Sequence, residues 1–214
     1  MQPNNQTAGA APELAKIEVE NLNRSSFLVR GMLAAGALYG TAAVSPMVRK
    51  AFGRASMGDI DILNYALTLE YLEAAFYEGA AKTPGLSKEV AGYVKTFGAE
   101  EQEHVDALTA TITDLGGTPV KAPKADFGDA FTGAEKLIPL AITFEDVGVS
   151  AYNGAAPEIE SKTLLATAGG IVQVEARHAA TIRFAAGEDP SPEAFDPTMT
   201  QDEVLKAVQP YVES

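Results

Sequence analysis

The strongest constraint on this chain is that part of it is written twice. Ala66, Thr68, Glu70, Tyr77, Gly79 and Ala80 recur as Ala141, Thr143, Glu145, Tyr152, Gly154 and Ala155 at a constant offset of 75. Glu101 and His104 recur as Glu175 and His178 at an offset of 74. Segments that share a spacing pattern share a local structure, so the fold must accommodate one unit used twice. From Met57 onward apolar residues recur at helical steps, and no stretch keeps the two-residue alternation of a half-buried strand. The repeated unit is therefore a pair of helices, and the expected class is all-α.

Turn and capping residues divide the body. The first helix is expected from Asp59 to Lys82, stopped by Thr83-Pro84-Gly85, and the second from the cap Ser87 to Leu115, ahead of Gly116-Gly117. A loop rich in Pro, Lys and Asp runs from Gly117 to Phe131. Thr132-Gly133-Ala134-Glu135 has the spacing of a capping box and predicts the opening of a third helix, to about Ala155. Pro139 must then kink that helix or mark its first turn. Pro157 predicts the first turn of a fourth helix ending near Ala186, before Gly187 and the prolines at 190, 192 and 197. Thr200 caps a last helix reaching about Val212. Two short hairpins joined by one long connection describe an antiparallel four-helix bundle with a single long crossover over residues 57–186. Residues 187–214 add a loop and a short extra C-terminal helix packed on the bundle.

Residues 1–56 differ in character, with three acids and six bases, against 26 acids and 10 bases in the rest. Arg24-Ser25-Ser26-Phe27-Leu28-Val29-Arg30 precedes an Ala/Gly-rich apolar stretch from Gly31 to Val44, too short for a membrane span of about 20 apolar residues. A basic start, a short apolar run and the small residues Thr41-Ala42-Ala43 fit a secretory signal. The Arg-Ser-Ser-Phe-Leu run resembles a twin-arginine export signal without the adjacent second arginine. Export to the periplasm or cell surface is the expectation. The alternatives are a flexible leader on a cytoplasmic protein and an uncleaved anchor, the one route to a membrane partner. The acidic body repels phosphate backbones, which excludes nucleic acid as a partner. The absence of Cys excludes disulfides, thiolate metal sites and Cys nucleophiles.

The chain has two histidines, and each follows a glutamate by three residues: Glu101-Gln102-Glu103-His104 and Glu175-Ala176-Arg177-His178. Residues i and i+3 are neighbours on a helix, about 5–6 Å apart, so one metal ion can take both side chains. Glu101 interrupts an apolar stripe of Val94, Phe97, Val105 and Leu108, and Glu175 one of Ala168, Ile171, Ala179 and Ile182. Glu70 does the same among Leu63, Ala66, Leu67 and Tyr77, and Glu145 among Ile138, Ala141, Val149 and Tyr152. Such stripes face the core. Four inward carboxylates need compensation, because one unpaired buried charge costs several kcal/mol or more. Two divalent cations bring +4 against −4, and the imidazoles fill further positions. Glu103, Glu100 and Asp106 instead read as a solvated face. Glu73 lies on a mostly apolar stripe with Gly148 as its repeat counterpart, and reads as peripheral, with an extra metal ligand or an acid just behind the ligands as the alternatives. Packing is the expected role of Tyr77 and Tyr152, with hydrogen bonding near the metals or radical chemistry as alternatives. The small residues at 168–170 are expected to allow close helix approach.

One Glu from each of two helices, with a Glu-x-x-His from each of the other two, resembles the di-iron and di-manganese carboxylate proteins of the ferritin-like superfamily. More narrowly, the run from Asp61 to Tyr77 is similar to the opening helix of bacterial and plant ferritin-like proteins related to desiccation-induced proteins. The resemblance covers about residues 57–186. It implies Glu70 and Glu145 as single-helix ligands, Glu101 and Glu175 as bridges, and His104 and His178 as terminal ligands. Oxygen- and nitrogen-rich ligation suits two Fe or two Mn ions. The expected function is a dinuclear oxidoreductase that oxidises Fe(II) or consumes peroxide or O₂. The alternatives are a protective or metal-sequestering bundle without turnover, and an assembly scaffold built with further copies of the chain.

Overall fold

The computed structural model describes residues 57–213, so the leader and export readings of residues 1–56 lie outside the described residues. The described chain is all-helical. Its main helices are α1 (Met57–Ala80), α2 (Lys88–Asp114), α3 (Ala134–Ala155) and α4 (Lys162–Ala186), followed by a short α5 (Gln201–Val208). Helix α1 packs chiefly on α2 and α3 on α4, with lighter contacts across the pairs, and the long crossover joins the two hairpins. No described helix is long and apolar enough to cross a membrane.

The helix ends follow local chemistry, with two corrections to the sequence reading. Ser87 caps α2 by accepting from the Val90 N–H at 3.1 Å, and Thr200 with Glu203 completes a capping box at α5. The box expected at Thr132–Glu135 does not form. The Thr132 hydroxyl donates to the Asp129 carbonyl within a 3-10 turn, and Gly133, extended, stands at the N-cap of α3 without a side-chain cap. Pro139 lies inside α3 rather than in its first turn. Pro157 does not open the fourth helix but sits in a separate 3-10 turn, Ala156–Glu158. Here the buried Asp59 carboxylate accepts the backbone N–H groups of Glu160 and Ser161, at 2.8 and 3.1 Å, and the helix starts only after Ser161. A contact from α1 thus overrides the local preference of proline.

Each repeat uses its glycine for the same purpose. A β-carbon at Gly79 would lie 2.3 Å from the Phe131 ring at the end of the crossover. One at Gly154 would lie 1.9 Å from the Met199 carbonyl oxygen in the loop before α5. Met199 also donates its N–H to the Ser150 carbonyl, so this loop is seated on α3 by backbone contact. Gly169 and Gly170, by contrast, face open space, and of the small residues at 168–170 only Ala168 is buried. Gly154→Ala is therefore expected to cost about 1–3 kcal/mol by overpacking. Gly169→Ala should gain up to about 1 kcal/mol from helix propensity. Thermal melts of the two variants read this difference as opposite shifts in Tm.

Two apolar clusters occupy the bundle interior. One holds Leu72, Phe76, Tyr77, Phe97, Phe144 and Ile182, with Val204 and Val208 of α5 closing it. The other holds Leu63, Leu67, Val105, Leu108, Ile112 and Tyr152. Glu70 stands on α1 between Leu67 of the second cluster and Leu72 of the first, so polar groups enter the core where one cluster gives way to the other.

Candidate metal centre

At that junction the four main helices deliver the six residues singled out by the sequence. Glu70, Glu101, Glu145 and Glu175 are fully buried, and His178 and His104 are 2% and 8% exposed. Their donor atoms form two overlapping groups, Glu70–Glu101–His104–Glu175 and Glu101–Glu145–Glu175–His178, each with all its atoms within 4.8 Å of one another. Glu101 and Glu175 belong to both. The groups exchange under the repeat: Glu70 and His104 serve one half, Glu145 and His178 the other.

The histidine ring nitrogens converge on the carboxylates. His104 Nδ1 lies 3.1 Å from Glu70 Oε2, 3.0 Å from Glu101 Oε2 and 3.1 Å from Glu175 Oε1. His178 Nδ1 lies 2.9 Å from Glu101 Oε1 and 3.4 Å from Glu145 Oε2. Closeness does not give satisfaction, however. Glu101 Oε1, Glu145 Oε2, both oxygens of Glu175 and His178 Nδ1 are buried without an aligned hydrogen-bond partner. Buried polar atoms are normally paired, and here five orphans crowd one point. Two cations at the shared centre would engage all of them, so the donor set fits metal ions.

The ionisation pattern follows from the same crowding. Burial pushes Glu145 up to about 8 against the opposing charge of His178, and pushes Glu175 above the usual carboxylate range with the help of Glu101. Burial opposes the charged form of His178, yet Glu145 and the bonds to Glu100 and Glu101 push it up to about 12. His104 is raised likewise, burial being outweighed by Glu101, Glu175 and Glu70. Without cations, protons on the imidazoles do part of the neutralising.

The tyrosines do more than pack. Tyr77 on α1 donates its hydroxyl to Glu145 Oε1 on α3, and Tyr152 on α3 donates to Glu70 Oε1 on α1. Each repeat fixes the outer oxygen of the other's glutamate and leaves Oε2 facing the centre. Both phenols are held neutral, by burial first and then by the carboxylate each one bonds.

Glu100 was read from the sequence as part of a solvated face, and the structure corrects this. Its carboxylate bonds His178 Nε2 at 2.7 Å, fixing the ring so that Nδ1 faces the centre. The residue at the repeat-equivalent position is Val174, so His104 has no counterpart to this contact. As the first acid of the run Glu100-Glu101-Gln102-Glu103, it carries no sequence signal that separates it from its neighbours. Partners of this kind typically hold about 10–100-fold of metal affinity. Glu100→Gln is expected to weaken the His178 half by about 10-fold while sparing the His104 half, read as two separated steps in a metal titration.

Two overlapping sets of buried carboxylates and imidazoles inside a helical bundle define a carboxylate bundle whose core is compatible with a metal site. A family model for the ferritin-like domain matches residues 58–188, and the chain belongs to that family. No curated protein matches the chain.

Proposed function

We propose that this protein is a dinuclear Fe or Mn oxidoreductase that oxidises Fe(II) or consumes peroxide or O₂. The observation that carries the reading is the pair of overlapping four-donor groups that share Glu101 and Glu175. When bound, a pair of Fe or Mn ions would supply one-electron steps between the +2 and +3 states. In this reading Glu101 and Glu175 would serve both ions, Glu70 with His104 would hold one and Glu145 with His178 the other, and the tyrosine hydroxyls fix the outer carboxylate oxygens. Apolar clusters on both sides exclude bulk water, which strengthens every charge interaction at the centre.

The oxidant would be small. An apolar cavity of about 20 Å³ lies between α1, α2, α3 and α4, with Leu63, Ala66, Leu108, Tyr152 and Ala168 in its lining. Since one water needs roughly 10–15 Å³ of such space, it admits a diatomic or a peroxide rather than an organic substrate. Fe(II) oxidation under air and peroxide loss, each assayed on Fe- and Mn-loaded protein, test the proposal. Turnover that disappears in a His104→Ala plus His178→Ala variant is the expected result. Two ions bound with neither reaction would leave a metal-sequestering bundle and end the oxidoreductase reading.

A further inference from the structure

We infer that Glu73 is a seventh protein ligand of this centre, a carboxylate placed on the axis between the repeats where it reaches both metal positions. The inference rests on the dinuclear reading above and extends it to a residue on neither side of the six-residue set.

Glu73 follows Glu70 by one helical turn, and the repeat maps it onto Gly148, one turn after Glu145. The two positions face each other: a β-carbon at Gly148 would lie 2.9 Å from Glu73 Oε1. A residue that touches its own repeat mate lies on the axis that relates the repeats, and a group on that axis is offered equally to both halves. The same β-carbon would lie 3.3 Å from Glu175 Oε2, so Glu73 and Glu175 share one pocket. Glu73 is 2% exposed, and its Oε2 is buried with no hydrogen-bond partner.

Symmetry also explains why the repeat breaks here. Two glutamates facing each other across the axis would put two carboxylates in the same space, so one repeat carries the acid and the other has no side chain. A buried carboxylate with a free oxygen, beside four others, is costly to keep unless something cationic uses it. Five carboxylates carry −5, which lies between the +4 of two divalent ions and the +6 of two trivalent ones. The fifth acid thus suits a centre that passes between those states.

Mn(II) titration of the full chain followed by electron paramagnetic resonance tests this, with thermal melts of the metal-free and Mn-loaded forms. Wild type is expected to take up two ions. Glu73→Gln should weaken both by more than the roughly 10–100-fold held by a partner that only orients a ligand, while its metal-free form melts no lower than wild type and its loaded form melts lower. Moving the acid across the axis, in Glu73→Ala plus Gly148→Glu, should restore most of the affinity lost in Glu73→Ala alone. Wild-type affinity in Glu73→Gln, or an equal fall of both melting points, would overturn the inference while the dinuclear reading stands. A swap no better than Glu73→Ala would refute the axial placement. Failure of wild type to bind two ions would remove the dinuclear reading, and this inference with it.

Discussion

Glu101→Gln alone should empty both metal positions, whereas Glu70→Gln should empty one. The difference follows from sharing: Glu101 and Glu175 supply donors to both four-atom groups, while Glu70 and Glu145 each supply one. Gln keeps the shape of the side chain and one acceptor oxygen but removes the charge that balances the cations. Loss of a shared ligand is expected to lower affinity at both positions by more than about 100-fold, beyond the range set by partners that only orient a ligand. Loss of an end ligand should do so at one. Metal content per chain after gel filtration, by elemental analysis, separates about zero from about one from about two. The metal-free Glu101→Gln protein should remain folded by circular dichroism. It should melt below wild type, because Gln leaves the buried imidazoles of His104 and His178 without the carboxylate that both of them approach. Equal metal content in the two variants would sink the shared-ligand arrangement.

The fold was legible because its strongest signals are periodic. Helical spacing, the caps at Ser87 and Thr200 and the glycine after Ala186 placed the helices within a few residues. The offsets of 75 and 74 paired the six candidate ligands before any coordinates. What the sequence concealed depends on contacts made by other elements. Pro157 carries a helix-start signal, but the Asp59 carboxylate, about a hundred residues earlier in the chain, holds the adjoining backbone N–H groups and delays the helix. Thr132 and Glu135 have the spacing of a capping box, but Thr132 is spent on Asp129. The tyrosines look like core residues from their stripe, and only the crossing of α1 over α3 brings each hydroxyl to the opposite glutamate. Glu100 has no periodic signal at all, since its partner His178 lies on another helix. Local pattern reports which face a residue occupies; it does not report what arrives on that face from elsewhere.

Metal-free and metal-loaded protein should respond to pH in opposite directions, so the gap between their melting points widens as pH rises from about 5 to 8. Stability changes with pH in proportion to protons bound by the unfolded state minus those bound by the folded state. Above the ordinary carboxylate range an unfolded Glu145 has lost its proton, while the folded one, raised to about 8, keeps it. The difference is negative, and stability falls with rising pH. Glu175, raised in the same sense, adds to the fall. For His178, unfolded imidazole loses its proton near 6.5 while the folded group holds it to about 12, so its contribution is complete below 6.5 and drains away above. All three groups make the metal-free protein less stable from acid to neutral pH. Cations demand the reverse, because carboxylates and imidazoles must shed those protons to bind. At free metal 100 times Kd each ion adds about 2.7 kcal/mol, so a filled pair adds about 5 kcal/mol. For a chain of this size that is a rise in Tm of roughly 10–20 °C. Scanning calorimetry at pH 5, 6.5 and 8, with and without saturating Mn(II), should show the metal-free curve falling and the interval opening at each step. An interval that stays constant across these pH values would mean that the ions do not replace the protons on these side chains, and the binding site would have to lie elsewhere in the chain.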